Sequence, residues 1–297
     1  MAESRCRTTS RRELARNPRF QQVSPEVGEL DEAAVEEGLV DDPDLMLALL
    51  ADLAGATDQR LRELSRRLAA RLFLDLARRG PPARRRIGRL IEQPYRPDGG
   101  DLDLDASFDV IAEAVAAGVA VDAERLRIRS WSTPGTALCL LVDRSGSMGG
   151  KPLATAAVAA AAVAMRNPGN YSVLAFGRDV VAVKSQGVDK PGERVVTDVL
   201  SLRGHGTTDL AGALRAAGEQ LNRSTAARKI AILLSDCRST VEGDALAAAR
   251  ALPEVVVVAP ESDCDEALVF AHQCGARIAT VAGPSHAVEA LVTVLER

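Results

Sequence analysis

Ala137-Leu138-Cys139-Leu140-Leu141-Val142-Asp143-Arg144-Ser145-Gly146-Ser147 is an unbroken apolar run that ends in one carboxylate and two hydroxyls. A short apolar run bounded by polar residues reads as a strand buried on both faces. Such a strand has no structural need for three oxygen-bearing side chains, Asp143, Ser145 and Ser147, spaced two apart at its tip. Carboxylate and hydroxyl oxygens are what a hard cation such as Mg²⁺ takes. The carboxyl end of a parallel strand is also where an open α/β sheet places its ligands.

Downstream of Thr136 the pattern alternates. Strands are predicted at Ala137–Val142, Tyr171–Phe176, Val180–Val183, Lys229–Leu234, Val255–Ala259 and Arg277–Val281. Helices are predicted between and after them at Pro152–Met165, Glu193–Leu200, Leu210–Leu221, Asp244–Ala251, Glu266–Gln273 and His286–Leu295. This rhythm implies a doubly wound, mainly parallel six-stranded sheet covered on both faces. Gly177-Arg178-Asp179 is short enough to join two strands as a hairpin, so one edge strand should be antiparallel.

Upstream, residues 1–38 are polar and weakly periodic, and a flexible tail or a loosely attached helix is expected there. Residues 39–95 form an Arg-rich helical region, with Leu45, Leu49, Leu50 and Leu53 and then Leu61, Leu64, Leu68, Leu72 and Leu76 at helical spacing. Gly80-Pro81-Pro82 closes that pattern. Residues 96–132 read as an acidic linker with a short helix near Phe108–Ala117 and a strand near Leu126–Trp131, and Pro94–Gly100 as a Pro/Gly hinge. Asp101-x-Asp103-x-Asp105 has calcium-loop spacing, but Ala106 and Ala112 stand where the Gly and the bidentate Glu belong. The Arg side chains between Arg60 and Arg89 read as the charged outer face of the leucine-bearing helices.

Aromatic residues make up only 3% of the 297-residue chain, so the core must be built from Ala, Val, Leu and Ile. A net charge of −4 gives no general attraction to nucleic acid. The five cysteines are odd in number and lack CxxC spacing, which favours a reduced, cytoplasmic protein. Ser10-Arg11-Arg12 has no apolar segment behind it and is discounted as an export signal. The apolar stretch Leu153–Met165 is too short to span a bilayer, so no membrane association is expected.

Two further loops carry oxygen ligands. Gly204-His205-Gly206-Thr207-Thr208-Asp209 precedes the helix from Leu210, and Ser235-Asp236 ends the apolar run Ile230–Leu234. Asp-x-Ser-x-Ser at the first tip, a Thr in a Gly-rich loop before Asp-Leu, and an Asp ending a later strand resemble the von Willebrand factor A (VWA) domain over roughly Thr133–Arg297. The resemblance implies the family's metal-ion-dependent adhesion site, or MIDAS. Ser145, Ser147 and Thr208 would then be hydroxyl ligands of Mg²⁺ (or Mn²⁺), with Asp143 and Asp236 binding largely through water. Thr208 is preferred over Thr207 because Thr208-Asp209-Leu210 matches the family's loop. Thr207 replaces that loop's second Gly.

The resemblance further implies a non-enzymatic adaptor or assembly module whose metal engages an acidic residue of a partner. Intracellular bacterial VWA proteins such as the CoxE-like proteins and the D subunit of magnesium chelatase work with MoxR- or chelatase-type AAA+ ATPases. A D-subunit-like part of a metal chelatase is therefore the first alternative. A degenerate P-loop around Lys151 is a second, but it has Ser145 for its first Gly and Pro152 for its Mg²⁺-binding hydroxyl. A hydrolase elbow at Ser147, with Asp263 and His286 downstream, also lacks its leading Gly. A plainer reading makes Asp143, Ser145 and Asp236 helix caps. Three such loops in the family's order outweigh it.

Overall fold

The computed structural model describes residues 8–80, 89–95, 101–132, 135–144, 149–204 and 206–296. The N-terminal part is helical: α1 (Arg11–Leu14), α2 (Phe20–Val23), α3 (Glu32–Asp41), α4 (Pro43–Leu53) and α5 (Gln59–Arg79). Polar N-caps set the starts of four of them. Ser10 makes a reciprocal capping box with Glu13, and Asp31, Asp42 and Asp58 accept first-turn N–H groups of α3, α4 and α5. The expected flexible tail is thus corrected for residues 8–38. Leu14, Phe20, Val23 and Val35 are all buried in the main core. These apolar residues are too sparse to show a period, and short helices of this kind are held by tertiary contacts.

Residues 89–132 form a unit of their own. Strands β1 (Arg89–Pro94), β2 (Asp101–Leu102) and β3 (Arg127–Ser132) make an antiparallel sheet in the order β1-β3-β2, accompanied by α6 (Leu104–Ala117). An acidic linker does not describe it. Asp103 is 3% exposed, caps α6 at the Ala106 N–H and takes the Arg129 Nε–H at 2.6 Å. Strand β1 also lies inside the stretch expected to be helical. Most of the Pro94–Gly100 hinge lies outside the described residues.

The second unit joins the N-terminal helices to everything from residue 136 onward. Its sheet contains β4 (Thr136–Asp143), β5 (Tyr171–Phe176), β6 (Val180–Lys184), β7 (Arg228–Leu234), β8 (Val255–Pro260) and β9 (Arg277–Val281), ordered β6-β5-β4-β7-β8-β9. All neighbours are parallel except the β5–β6 hairpin at the edge. The connecting helices are α7 (Gly150–Arg166), α8 (Gly192–Leu200), α9 (Leu210–Asn222), α10 (Ala245–Arg250), α11 (Asp265–Cys274) and α12 (Ala287–Glu296). The fold is the VWA-type α/β sandwich expected from the sequence, preceded by helices.

Alternation along each strand divides the core. Leu138, Leu140 and Val142 of β4 face one side with α7, α8 and α12, while Ala137, Cys139 and Leu141 face α9, α10 and α11. On the first side a third layer is added. Helices α4 and α5 pack on the far side of α7, and every residue from Leu153 to Ala164 is buried. A helix that is apolar all round needs cover all round. The unit of residues 89–132 gives way to the sandwich close to the expected boundary at residue 133, and the helices of residues 8–80 belong to the same unit as the sandwich. Among the described residues no helix is long and apolar enough to cross a membrane.

Candidate metal centre

The parallel pairing of β4 with β7 sets Val142 opposite Leu234, so Asp143 and Ser235 leave the sheet side by side. The Ser235 hydroxyl donates to Asp143 Oδ2 at 2.6 Å and accepts the Cys237 N–H at 2.9 Å. Between these partners lies Asp236, half-buried, whose Oδ1 accepts the Arg238 N–H at 3.0 Å. Cys237 takes a left-handed backbone conformation, φ 65°. A non-glycine residue rarely adopts it, and here it turns the chain sharply off β7. Arg238 then grips Asp263 at 2.9 and 2.7 Å and Glu266 at 3.0 Å, tying the turn to α11.

The second loop is sewn to the third. Thr208 is 1% exposed; its N–H donates to Thr240 Oγ1 at 2.7 Å. Its carbonyl accepts the N–H groups of Thr240 and Val241 at 3.0 and 3.2 Å and the Ser239 hydroxyl at 3.2 Å. With its backbone so engaged, what Thr208 offers a ligand is its hydroxyl. Thr207 is exposed. The Asp209 N–H donates to the Gly177 carbonyl at 2.8 Å, and its side chain caps α9 at Gly212. The Arg144 N–H closes the ring on the Phe176 carbonyl at 2.8 Å, and Arg144 Nη2 reaches the Asp179 carbonyl at 3.3 Å.

Asp143, Thr208 and Asp236 thus belong to three loops fastened to one another. Ser145 and Ser147 lie outside the described residues, as does His205. The two carboxylates also share an electrostatic neighbour. Burial first, then the charges of Asp236, Asp143 and Cys274, push the Cys237 thiol far above its ordinary range. Ser235 was legible only as the residue before Asp236. Its bond to Asp143 depends on strand register, which the sequence does not display.

The rival roles place these residues elsewhere. The first N–H of α7 is accepted by Asp52, α9 is capped by Asp209 and α10 by Asp244, so Asp143 and Asp236 are not the caps of these helices. Lys151 is exposed on the first turn of α7. Asp263 is held by Arg238 rather than serving His286, which is exposed. Among the described residues no three His, Cys, Asp or Glu side chains cluster as a metal cage. An oxygen-only set of carboxylates and hydroxyls suits a hard divalent cation.

A family model for VWA-domain-containing CoxE-like proteins matches residues 52–296. The chain belongs to this family. The match begins well before the VWA fold itself and takes in α5 and the unit of residues 89–132. No curated protein matches the sequence. Among solved structures, a von Willebrand factor type A protein from Catenulispora acidiphila is 18% identical over 56% of this chain and 43% of that one, with a TM-score of 0.44. The manganese-loaded TRAP protein of Plasmodium vivax is 18% identical over 53% and 72%, TM-score 0.42. Proximal thread matrix protein 1 from the mussel byssus, with a zinc-occupied MIDAS motif, is 13% identical over 54% and 47%, TM-score 0.42. The chain spans less than half of the first and third of these.

Proposed function

We propose that this VWA protein is a non-enzymatic binding module in which Asp143, Ser145, Ser147, Thr208 and Asp236 hold Mg²⁺ or Mn²⁺ and capture a carboxylate of a protein partner. The observation that carries this reading is the 2.6 Å bond from Ser235 to Asp143, which links the tips of two adjacent parallel strands, one ending in Asp143 and the other followed two residues on by Asp236. Asp143 and Asp236 supply the charge, and the three hydroxyls supply neutral oxygens. When bound, the cation would offer an open coordination place to an oxygen from outside. The ring of backbone bonds through Thr208, Gly177 and Phe176 keeps the loops in place before any partner arrives.

The partner we propose, from family resemblance, is a MoxR- or chelatase-type AAA+ ATPase or its client. A role as a chelatase subunit is the narrower version of the same reading.

Asp143→Ala and Ser147→Ala should each abolish Mg²⁺-dependent capture of the ATPase while circular dichroism stays unchanged. Capture that persists in chelator and in both variants overturns the metal bridge. Turnover of ATP or of an ester by the isolated chain overturns the non-enzymatic reading.

A further inference from the structure

We propose that the outer edge of β9 is a docking edge for a second copy of this chain, whose own β9 adds to it antiparallel across a two-fold axis at Ala279. The two sheets then continue as one. This docking does not rest on the metal-site reading.

The pairing of β9 with β8 decides which backbone groups face outward. The Glu261 N–H donates to the Val281 carbonyl at 3.0 Å, and Val281 stands opposite Pro260. In a parallel ladder the N–H and C=O of one residue point to the same side, and successive residues alternate. Arg277, Ala279 and Val281 therefore bond to β8, while Ile278 and Thr280 turn their N–H and C=O groups away from it. Among the described residues no strand lies beyond β9, and none offers Ile278 or Thr280 a backbone partner on that side. Thr280 is exposed.

Proteins blunt such edges with a bulge, a proline, a lysine or a charge turned inward. The opposite edge of the same sheet, β6, carries several of these devices. Its register against β5 shifts between Val173 and Leu174. Lys184 is 4% exposed and donates to the Tyr171 carbonyl at 2.7 Å. Lys190 covers the Val183 carbonyl. Strand β9 has none of them. Its pairing is regular, it contains no proline or lysine, and its one charged residue, Arg277, is turned back onto Glu254.

A second copy fits this edge because the edge is complementary to itself. With the axis at Ala279, Ile278 stands opposite the second copy's Thr280, and each such pair exchanges both of its hydrogen bonds. Arg277 falls opposite the second copy's Val281, so no like charges meet. A patch that matches itself closes as a dimer. The same axis sets the two α11 helices side by side on one face of the joined sheet. Glu266 and Leu268 lie about 200° apart around α11, and Glu266 is held by Arg238 on the β7 side. Leu268 therefore lies on the flank towards the open edge, where it is 46% exposed. Docking would cover it.

Sedimentation of the full chain over a range of concentrations tests this, with melting curves recorded alongside. The mass should rise from one chain to two. Thr280→Pro removes an outward N–H and leaves the bonds to β8 in place. It should weaken dimerisation about tenfold or more, because a bond is lost on each side of the axis, with the melting temperature of the dilute chain unchanged. Leu268→Glu should weaken the dimer from outside the strand. Val181→Glu, at an exposed position on the blunted edge β6, should not. Hydrogen exchange over residues 276–282 should slow with rising concentration in the parent and in neither β9-side variant. A parent that stays monomeric, which would leave the edge to a strand of another protein, overturns the proposal. So does a dimer that survives both Thr280→Pro and Leu268→Glu, or one that Val181→Glu disrupts as strongly. If Thr280→Pro fails to fold, Leu268→Glu and hydrogen exchange decide.

Discussion

The Ser235 hydroxyl has one proton, and its direction is settled by its neighbours. The Cys237 N–H already occupies a lone pair, so the proton goes to Asp143 Oδ2. That bond fixes the rotation of the first carboxylate of the site. Ser235→Ala should lower Mn²⁺ affinity about tenfold, and Ser235→Thr should keep it, as read by titration on folded protein. The cysteines report on the same strands. Burial pushes the Cys139 thiol up to about 12, and Cys237 is raised too, again by burial first. At mildly alkaline pH neither is a thiolate, whereas Cys264 and Cys274 are partly accessible. Iodoacetamide should therefore modify Cys264 and Cys274 before Cys139 and Cys237 in the folded protein, and peptide mass spectrometry would show it. Rapid native labelling of Cys139 would contradict a central, doubly covered β4.

At the scale of elements, α7 explains what the sequence displayed and what it hid. No charged residue lies between Lys151 and Arg166. Its length rules out a bilayer span, and the alternative is a helix covered on both sides, with α4 and α5 as the second cover. Leu50, fully buried on α4, should cost about 2–5 kcal/mol when cut to Ala. Ala160→Leu should cost about 1–3 kcal/mol by overpacking, since Ala160 is also fully buried. Denaturant unfolding measures both. Tyr171–Phe176 coincides with its predicted span because a strand buried on both faces is written as a nearly continuous apolar run. Asp143 and Asp236 were legible for the same reason, as carboxylates at the ends of such runs. Phe20 and Val23 were not, because a single turn of helix has no period to read. Nor was Asp52, whose partner is chosen by packing between distant segments.

For the whole molecule, the layering makes the VWA sandwich dependent on residues that precede it. A chain starting at residue 133 would bare the outer side of α7 and lose the bonds from the Gly150 and Ser285 N–H groups to Asp52 and Asp44 of α4. Such a fragment should be insoluble or lack a cooperative melt, while the full chain melts in one main transition. Soluble, cooperative folding of the fragment would contradict the three-layer arrangement. The order of the layers along the chain also sets a problem in time. The apolar face of α4, Met46 to Leu53, leaves the ribosome long before α7, its partner, has been made. At about 5–20 residues per second, the ~110 residues from the end of α4 to the end of α7 take roughly 6–20 s. During that interval the nascent chain carries an uncovered hydrophobic surface. Chaperone occupancy during synthesis should peak there and fall once α7 emerges, a pattern that ribosome-bound truncations of increasing length would display.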